Sequence, residues 1–310
     1  MSFRIDLQET LAMNAERIMQ GRLDKCREKL QNENPHEAIH DARKQMKKIR
    51  AFARLYRGEI GEKKYQKTNA YYRDIARQMS EARDTAALLT TLDKLYGSLD
   101  KDLCAKVFDD IKNHLASRKS AVSRIAINRD HLLEKVDADL ASGEDIHRKW
   151  KIKNNDFSAL SPGIEKTYER CQQAMKKAYK KNSVKAFHEW RKRAKYLRYE
   201  VDYLRNVWPQ PMKALEKELH QLTDYLGDDH DLAVLKEYIK KMEHDESDAR
   251  TAILSLIEKK QQELREKALP LGKAILYESP DDFSSRLAFY WKKQLKTYKL
   301  EEKQTPLSVS

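Results

Sequence analysis

The sequence predicts an all-α fold made of two related halves. Three observations lead there. Glycine and proline are scarce, with 8 and 7 copies in 310 residues. Apolar residues recur at helical spacing along most of the chain, and a basic stretch near residue 40 reappears near residue 188. Lys, Glu, Leu and Ala dominate, which favours long helices over sheet. No run alternates apolar and polar residues between turn signals, as a half-buried strand would. Hydrophobic residues make up 40% and charged residues 36%, so a chain of this length can still bury a sizeable core.

Leu7, Leu11, Ile18, Leu23 and Leu30 set a near-helical stripe over 3–31. Asn32-Glu33-Asn34-Pro35 breaks it. Asn34 can cap the next helix, Pro35 suits the first helical position, and Glu37 stands three residues after the cap. That helix is expected to end at Arg57, before Gly58 and Gly61. Further helices are expected over 62–80, from Asp84 to Tyr96, and over 99–133. Residues 141–163 collect Ser, Gly, Asn and Pro and predict a linker. Ser161-Pro162 reads as cap and first helical residue. Helices then follow over 162–181, 184–206, 211–226, 229–245, 247–268 and 283–299. The expected organisation is a first helical-bundle half over 1–140, a linker over 141–161, a second half over 162–300, and a disordered tail over 301–310.

The formal charge is +13 and the pI about 9.4. Such an excess attracts anions at long range: nucleic acid, acidic membrane surfaces or polyphosphate-like chains. Cys26, Cys104 and Cys171 match no zinc spacing and leave an odd thiol, as expected of a reducing compartment. No apolar run approaches the ~20 residues of a membrane span. The first residues, MSFRIDLQETLAMNAERIM, carry acids and no continuous apolar stretch, unlike a secretory signal. A soluble, cytoplasmic protein is expected. There is no Gly-rich phosphate loop and no nucleophile beside a base, so a non-catalytic binder with no metal and no cofactor is expected.

The repeat is the most informative feature. HEAIHDARKQMKKIRAFARLYR (36–57) lies on VKAFHEWRKRAKYLRYEVDYLR (184–205). His40 then matches His188, Arg43 matches Arg191, Lys44 matches Lys192, Lys47 matches Lys195, and Arg50 matches Arg198, all at an offset of 148. A second block, around Ile75, Asp84 and Leu88, matches Leu222, Asp231 and Leu235 at an offset of 147. Two blocks in the same order imply a duplicated helical bundle with approximate two-fold symmetry.

Within each basic stretch, Ile39, Ala42, Met46, Ile49, Ala53 and Tyr56 recur at spacings of three and four, as do Phe187, Trp190, Ala194, Leu197, Val201 and Leu204. This is the packing seam of a bundle helix. Trp190 and Tyr56 are therefore expected in the core rather than as stacking platforms. One residue further round, a rotation of about 100°, lie His40, Arg43, Lys47, Arg50, Arg54 and Arg57. In the second half the same rotation reaches His188, Arg191, Lys195, Arg198, Asp202 and Arg205. Lys44 and Lys192 widen the stripes. Stacked cations repel at i,i+4, so two aligned stripes nearly free of acids point to an anionic ligand. Arg grips phosphate as a fork and Lys as a point charge. His40 and His188 stand near helix N-termini, which also favour anions.

Asp84 and Asp231 are expected as N-caps, with a second role open to each, orienting a basic side chain of the groove. Arg83 and His230 precede them and either add to the anion site or face solvent. Asp228, Asp229 and Asp231 read more simply as turn and cap residues than as ligands of a divalent ion.

The blocks H-x-x-R-K-x-x-K (40–47), H-x-x-R-K-x-x-K-x-L-R-Y (188–199) and L-G-x-x-H-D-x-x-V-L (226–235) resemble the CHAD domain, the conserved-histidine α-helical domain, over nearly the whole chain. The first half matches more loosely, with Ser80 where the family usually has Gly. The resemblance implies two pseudo-symmetric four-helix bundles around a basic central groove. It also implies binding of inorganic polyphosphate by His40, Arg43, Lys44, Lys47, Arg50, His188, Arg191, Lys192, Lys195 and Arg198. Some relatives fuse this domain to a triphosphate-tunnel phosphohydrolase; this chain looks like the stand-alone form. Association with polyphosphate granules, as scaffold, sensor or adaptor, is compatible with that resemblance. A nucleic-acid binder is the alternative from the residues alone, since phosphate attraction would serve it too.

Overall fold

Helix follows helix along the structure, a computed structural model that describes residues 2–32, 34–97, 101–124, 131–242 and 248–304. The helices are α1 (Leu11–Asn32), α2 (Pro35–Leu55), α3 (Arg57–Ile60), α4 (Glu62–Gln78), α5 (Ser80–Tyr96), α6 (Lys101–Ser123) and α7 (Leu132–Ser142). After them come α8 (Glu144–His147), α9 (Ser161–Lys181), α10 (Val184–Tyr203), α11 (Pro209–Lys241), α12 (Asp248–Ile275) and α13 (Pro280–Gln304). Short 3-10 turns occupy Phe157–Ala159 and Leu204–Val207. Among the described residues there is no strand, as the sequence predicts. No helix among them is long and apolar enough to cross a membrane.

Local signals position the two basic helices. The Asn34 side chain accepts from the His36 N–H at 3.0 Å, with Pro35 opening α2. Ser183 caps α10 by accepting from the Ala186 N–H at 3.4 Å. Just before it, Asn182 ends α9 in the left-handed conformation, a role that suits asparagine.

Elsewhere the elements depart from expectation. Helix α1 starts at Leu11, not near residue 3. The preceding chain lies against α10, where the Ile5 N–H donates to the Tyr203 carbonyl at 2.9 Å. Buried Asn14 takes up both the N–H and the carbonyl of Asp6, so that stretch needs no helix to satisfy its backbone. Of the helix expected over 99–133, α6 ends at Ser123 and α7 begins at Leu132, while 125–130 lie outside the described residues. The span 141–161 contains the end of α7, all of α8 and the 157–159 turn; 148–156 is its non-helical stretch.

The expected break near 227 is absent, and α11 runs through Gly227-Asp228-Asp229. The Asp229 carboxylate is held from α12 by Arg265 at 2.8 Å and Gln261 at 3.2 Å. Packing on both sides thus overrides the local turn signal. Asp231 therefore sits inside α11, and Asp84 four residues inside α5; neither is an N-cap.

Both predicted seams are buried throughout. Helix α2 also packs on α10, and at the C-terminal ends of the two helices the Tyr56 and Tyr203 hydroxyls bond to each other at 2.6 Å. Phe52 stands edge-on to Tyr203 with centroids 5.0 Å apart. A second, smaller core joins Leu88, Leu92 and Leu95 of α5, Phe108, Ile111 and Leu115 of α6, Leu232, Leu235 and Ile239 of α11, and Ile253 and Ile257 of α12. Helices from both sequence halves share it, so the packing does not divide where the repeat does.

Helix α9 approaches α2 at a glycine. A Cβ on Gly163 would stand 2.0 Å from the Leu55 carbonyl oxygen, and backbone cannot yield as a side chain can. Gly163→Ala is expected to destabilise the fold by about 3 kcal/mol, the upper end of overpacking costs. Urea unfolding measures this; an unchanged midpoint would mean that the two helices do not approach so closely.

Candidate anion-binding site

Part of the two stripes comes together where α2 packs on α10, and α11 packs along α10. This brings His188, Arg191, Lys195 and Arg198 of α10 beside Lys47 of α2 and His230 and Asp231 of α11. The His188 and His230 rings face each other, centroids 4.2 Å apart, with their Nδ1 atoms at 3.2 Å. One ring must donate and the other accept, so only one of the two Nδ1 atoms carries a proton in this geometry.

Lys195 is the electrostatic centre. It is half-buried, and burial pushes its ammonium down to about 6, helped by Arg191, Lys47 and Arg198 and opposed by Asp231. Burial likewise pushes His230 down to about 3, with further lowering from His188, Arg191, Lys195 and Lys47. His188 is lowered by burial, then by Arg191 and Lys192, with Glu189 opposing. Arg191, Lys47 and Arg198 thus gather around Lys195 with Asp231 opposing them. An arriving anion would favour the protonated lysine.

The remaining predicted residues divide. Arg198 Nε donates to Glu216 Oε1 at 2.8 Å, and Arg50 Nε donates to Asn69 Oδ1 at 3.0 Å. These two contacts are equivalent under the repeat. Arg43 reaches across to the turn between α4 and α5, donating to the Ala76 carbonyl at 2.5 Å and the Ser80 hydroxyl at 2.7 Å. Ser80, the departure from the family motif, thus has a role of its own. Lys192 is exposed and pairs with Glu189; Lys44 is exposed. His40 is also exposed, in a separate cleft of about 450 Å³ with Lys29, His36 and Asp41. Its surroundings are therefore unlike those of half-buried His188. Asp84 is exposed, and the Arg83 side chain lies outside the described residues.

Sequence reasoning missed Glu216, Asn69 and Lys48. Lys48 pairs with Asp202 at 3.0 Å and so neutralises the one acid of the second stripe. Extending the 147-residue offset back two positions from the second block would have matched Asn69 to Glu216. Among the described residues, no group of three or more His, Cys, Asp and Glu is placed to hold a metal ion.

A family model described as the CHAD domain matches residues 17–240. The fold is similar to the crystal structure of the CHAD domain from the plant Ricinus communis, with a TM-score of 0.61 and 14% identity. That likeness covers 89% of this chain and 95% of the plant chain. No curated protein matches the sequence. Helical throughout its described residues and matched by that family model over most of its length, the chain belongs to the CHAD-domain family.

Proposed function

We propose that this protein binds inorganic polyphosphate, without turnover, in a basic groove between α2 and α10. The observation that carries the reading is the convergence of Lys47, Arg191 and Lys195 from two different helices around one half-buried position. A fold holds like charges together at a cost, and a chain of phosphates is the kind of ligand that offsets it. The equivalent contacts Arg50–Asn69 and Arg198–Glu216 support an internal duplication with pseudo-symmetric bundles flanking that groove. A cytoplasmic place, with granules among its settings, goes with this reading.

Nucleic acid is the less favoured ligand. Single-strand binders stack bases on exposed aromatics, whereas Tyr196 and Tyr199, the aromatics nearest the stripe, are buried at 9% and 7% exposure. Competition between long-chain polyphosphate and duplex DNA or RNA at equal phosphate concentration tests this. Displacement by nucleic acid would overturn the preference, and phosphate release in the presence of magnesium would overturn the binder-only reading.

Arg191→Ala with Lys195→Ala is expected to weaken polyphosphate binding by roughly 100-fold, since each charge-assisted contact is worth about 1.5–3 kcal/mol. Helical circular dichroism should stay unchanged. Undiminished binding would place the site elsewhere.

Protonation should couple to binding. With Lys195 held near pKa 6 in the free protein and raised by a bound anion, the complex takes up a proton above that pH. Affinity is therefore expected to fall as pH rises from 6 to 8. Calorimetry in buffers of different ionisation heat reads the uptake directly, and a buffer-independent heat would rule Lys195 out as the proton carrier.

The same lysine should cost stability. Its folded value lies below the ordinary 10.5, so between about pH 6 and 10.5 the unfolded chain binds the extra proton. Stability in that window rises with pH. Lys195→Met is expected to raise Tm by at least about 2 °C, most near pH 6 and less toward pH 10, while weakening binding. A lower Tm would show that Lys195 supports the fold.

A further inference from the structure

Arg43 lies one turn before Lys47 on the basic face of α2 and is half-buried. Its Nη1 donates to the Ala76 carbonyl at 2.5 Å and to the Ser80 hydroxyl at 2.7 Å. The Ser80 hydroxyl in turn donates to the same carbonyl at 3.5 Å. Ala76 stands in the last turn of α4 and Ser80 opens α5, so one end of the guanidinium is fastened to the corner between those helices. A hydroxyl has one proton to give and lone pairs to accept with, which lets Ser80 serve the carbonyl and the arginine at once. Both Nη1 protons are thereby engaged.

Both of these acceptors are uncharged. A carbonyl in the last turn of a helix also sits at the negative end of the helix dipole, where a cation is favoured. The two bonds therefore fix the orientation of Arg43 without setting a carboxylate against it. Arg50, two turns further along the same face, is held in a like manner, its Nε donating to Asn69 Oδ1 at 3.0 Å. On α10, by contrast, Arg198 meets Glu216 at 2.8 Å and Lys192 meets Glu189. The guanidinium is planar, so gripping Nη1 also sets the direction of its other edge, the kind of edge that takes two phosphate oxygens.

The second half offers no hydroxyl at the equivalent place. Ser80 corresponds to Gly227 at the offset of the second block, and a Cβ on Gly227 would stand 3.7 Å from Arg191 Nε. Arg191 thus lies over the matching backbone position, where glycine has no side chain to accept from it. We propose that Ser80 is a positioning residue for anion binding in this chain: its hydroxyl holds the Arg43 guanidinium in the orientation in which it contacts phosphate, a service that Gly227 does not give Arg191. The inference rests on the polyphosphate reading above and adds to it a residue that itself touches no ligand. Holding a long side chain in place beforehand removes the cost of ordering it on binding, worth roughly a factor of two to ten in affinity.

The test is a double-mutant cycle read by calorimetric titration of long-chain polyphosphate into the whole protein, with circular dichroism as the control for folding. Arg43→Ala is expected to weaken binding by at least about tenfold. Ser80→Ala alone is expected to weaken it by about fivefold, and Ser80→Ala added to Arg43→Ala to change it no further. A serine that merely supports the α4–α5 corner would weaken binding by the same factor with or without Arg43, and that result would overturn the proposal. Unchanged binding in either single variant would also overturn it, and would leave the polyphosphate reading to the other residues of the groove. If the wild type does not bind polyphosphate, that reading fails and takes this inference with it.

Discussion

A helix that buries an apolar seam fixes the direction of whatever lies one residue further round. In this protein that is a row of cations on each of α2 and α10. The seams of both helices are fully buried, and the Tyr56–Tyr203 hydroxyl pair joins the helices at their C-terminal ends. Neither helix can turn its basic stripe toward solvent without exposing Tyr56, Trp190 or Leu197. The apolar packing, worth about 1.5–3 kcal/mol for each large side chain, holds the charges together against a repulsion of a few tenths of a kcal/mol per i,i+4 pair. The larger effect decides the geometry, and the smaller repulsion is tolerated.

Lys195 shows what that arrangement does to a single group. Desolvation is the first cause of its lowered pKa and the neighbouring cations come after it. Burial thus favours its neutral form, which lessens the repulsion among these cations. His188 and His230 follow the same pattern: their rings lie together at a tilt, they are lowered by burial and by the same cations, and they share one Nδ1–Nδ1 contact. The cluster combines groups whose neutral form burial favours with the cations Lys47, Arg191 and Arg198.

The helical class, both seams and the stripe beside them were legible because each follows from periodicity, and periodicity survives in a single sequence. The cap at Asn34 was equally local, whereas Ser161, expected as a cap, is the first residue of α9 behind Leu160. What could not be read depends on distant partners. Asp229 held by Gln261 and Arg265 keeps α11 helical through a Gly-Asp-Asp stretch that looks like a turn. Asn14, by taking up the backbone of Asp6, lets residues 2–10 run without helix. His40 and His188 match perfectly in the alignment, yet one is exposed and the other stacks on His230, because position in a repeat does not specify what the neighbouring helix presents.

That inequality extends along the stripes. Arg50 meets neutral Asn69 where Arg198 meets Glu216, and Arg54 stands where the second half has Asp202. At both positions the second half has an acid, and each acid is paired, Glu216 with Arg198 and Asp202 with Lys48. The α10 stripe is partly neutralised toward its C-terminal end, while the α2 stripe stays cationic as far as Arg54, beyond which Arg57 pairs with Glu62. The duplicated helices therefore do not present duplicated surroundings, because the acids at Asp202 and Glu216 have Arg54 and Asn69 as their counterparts in the first half.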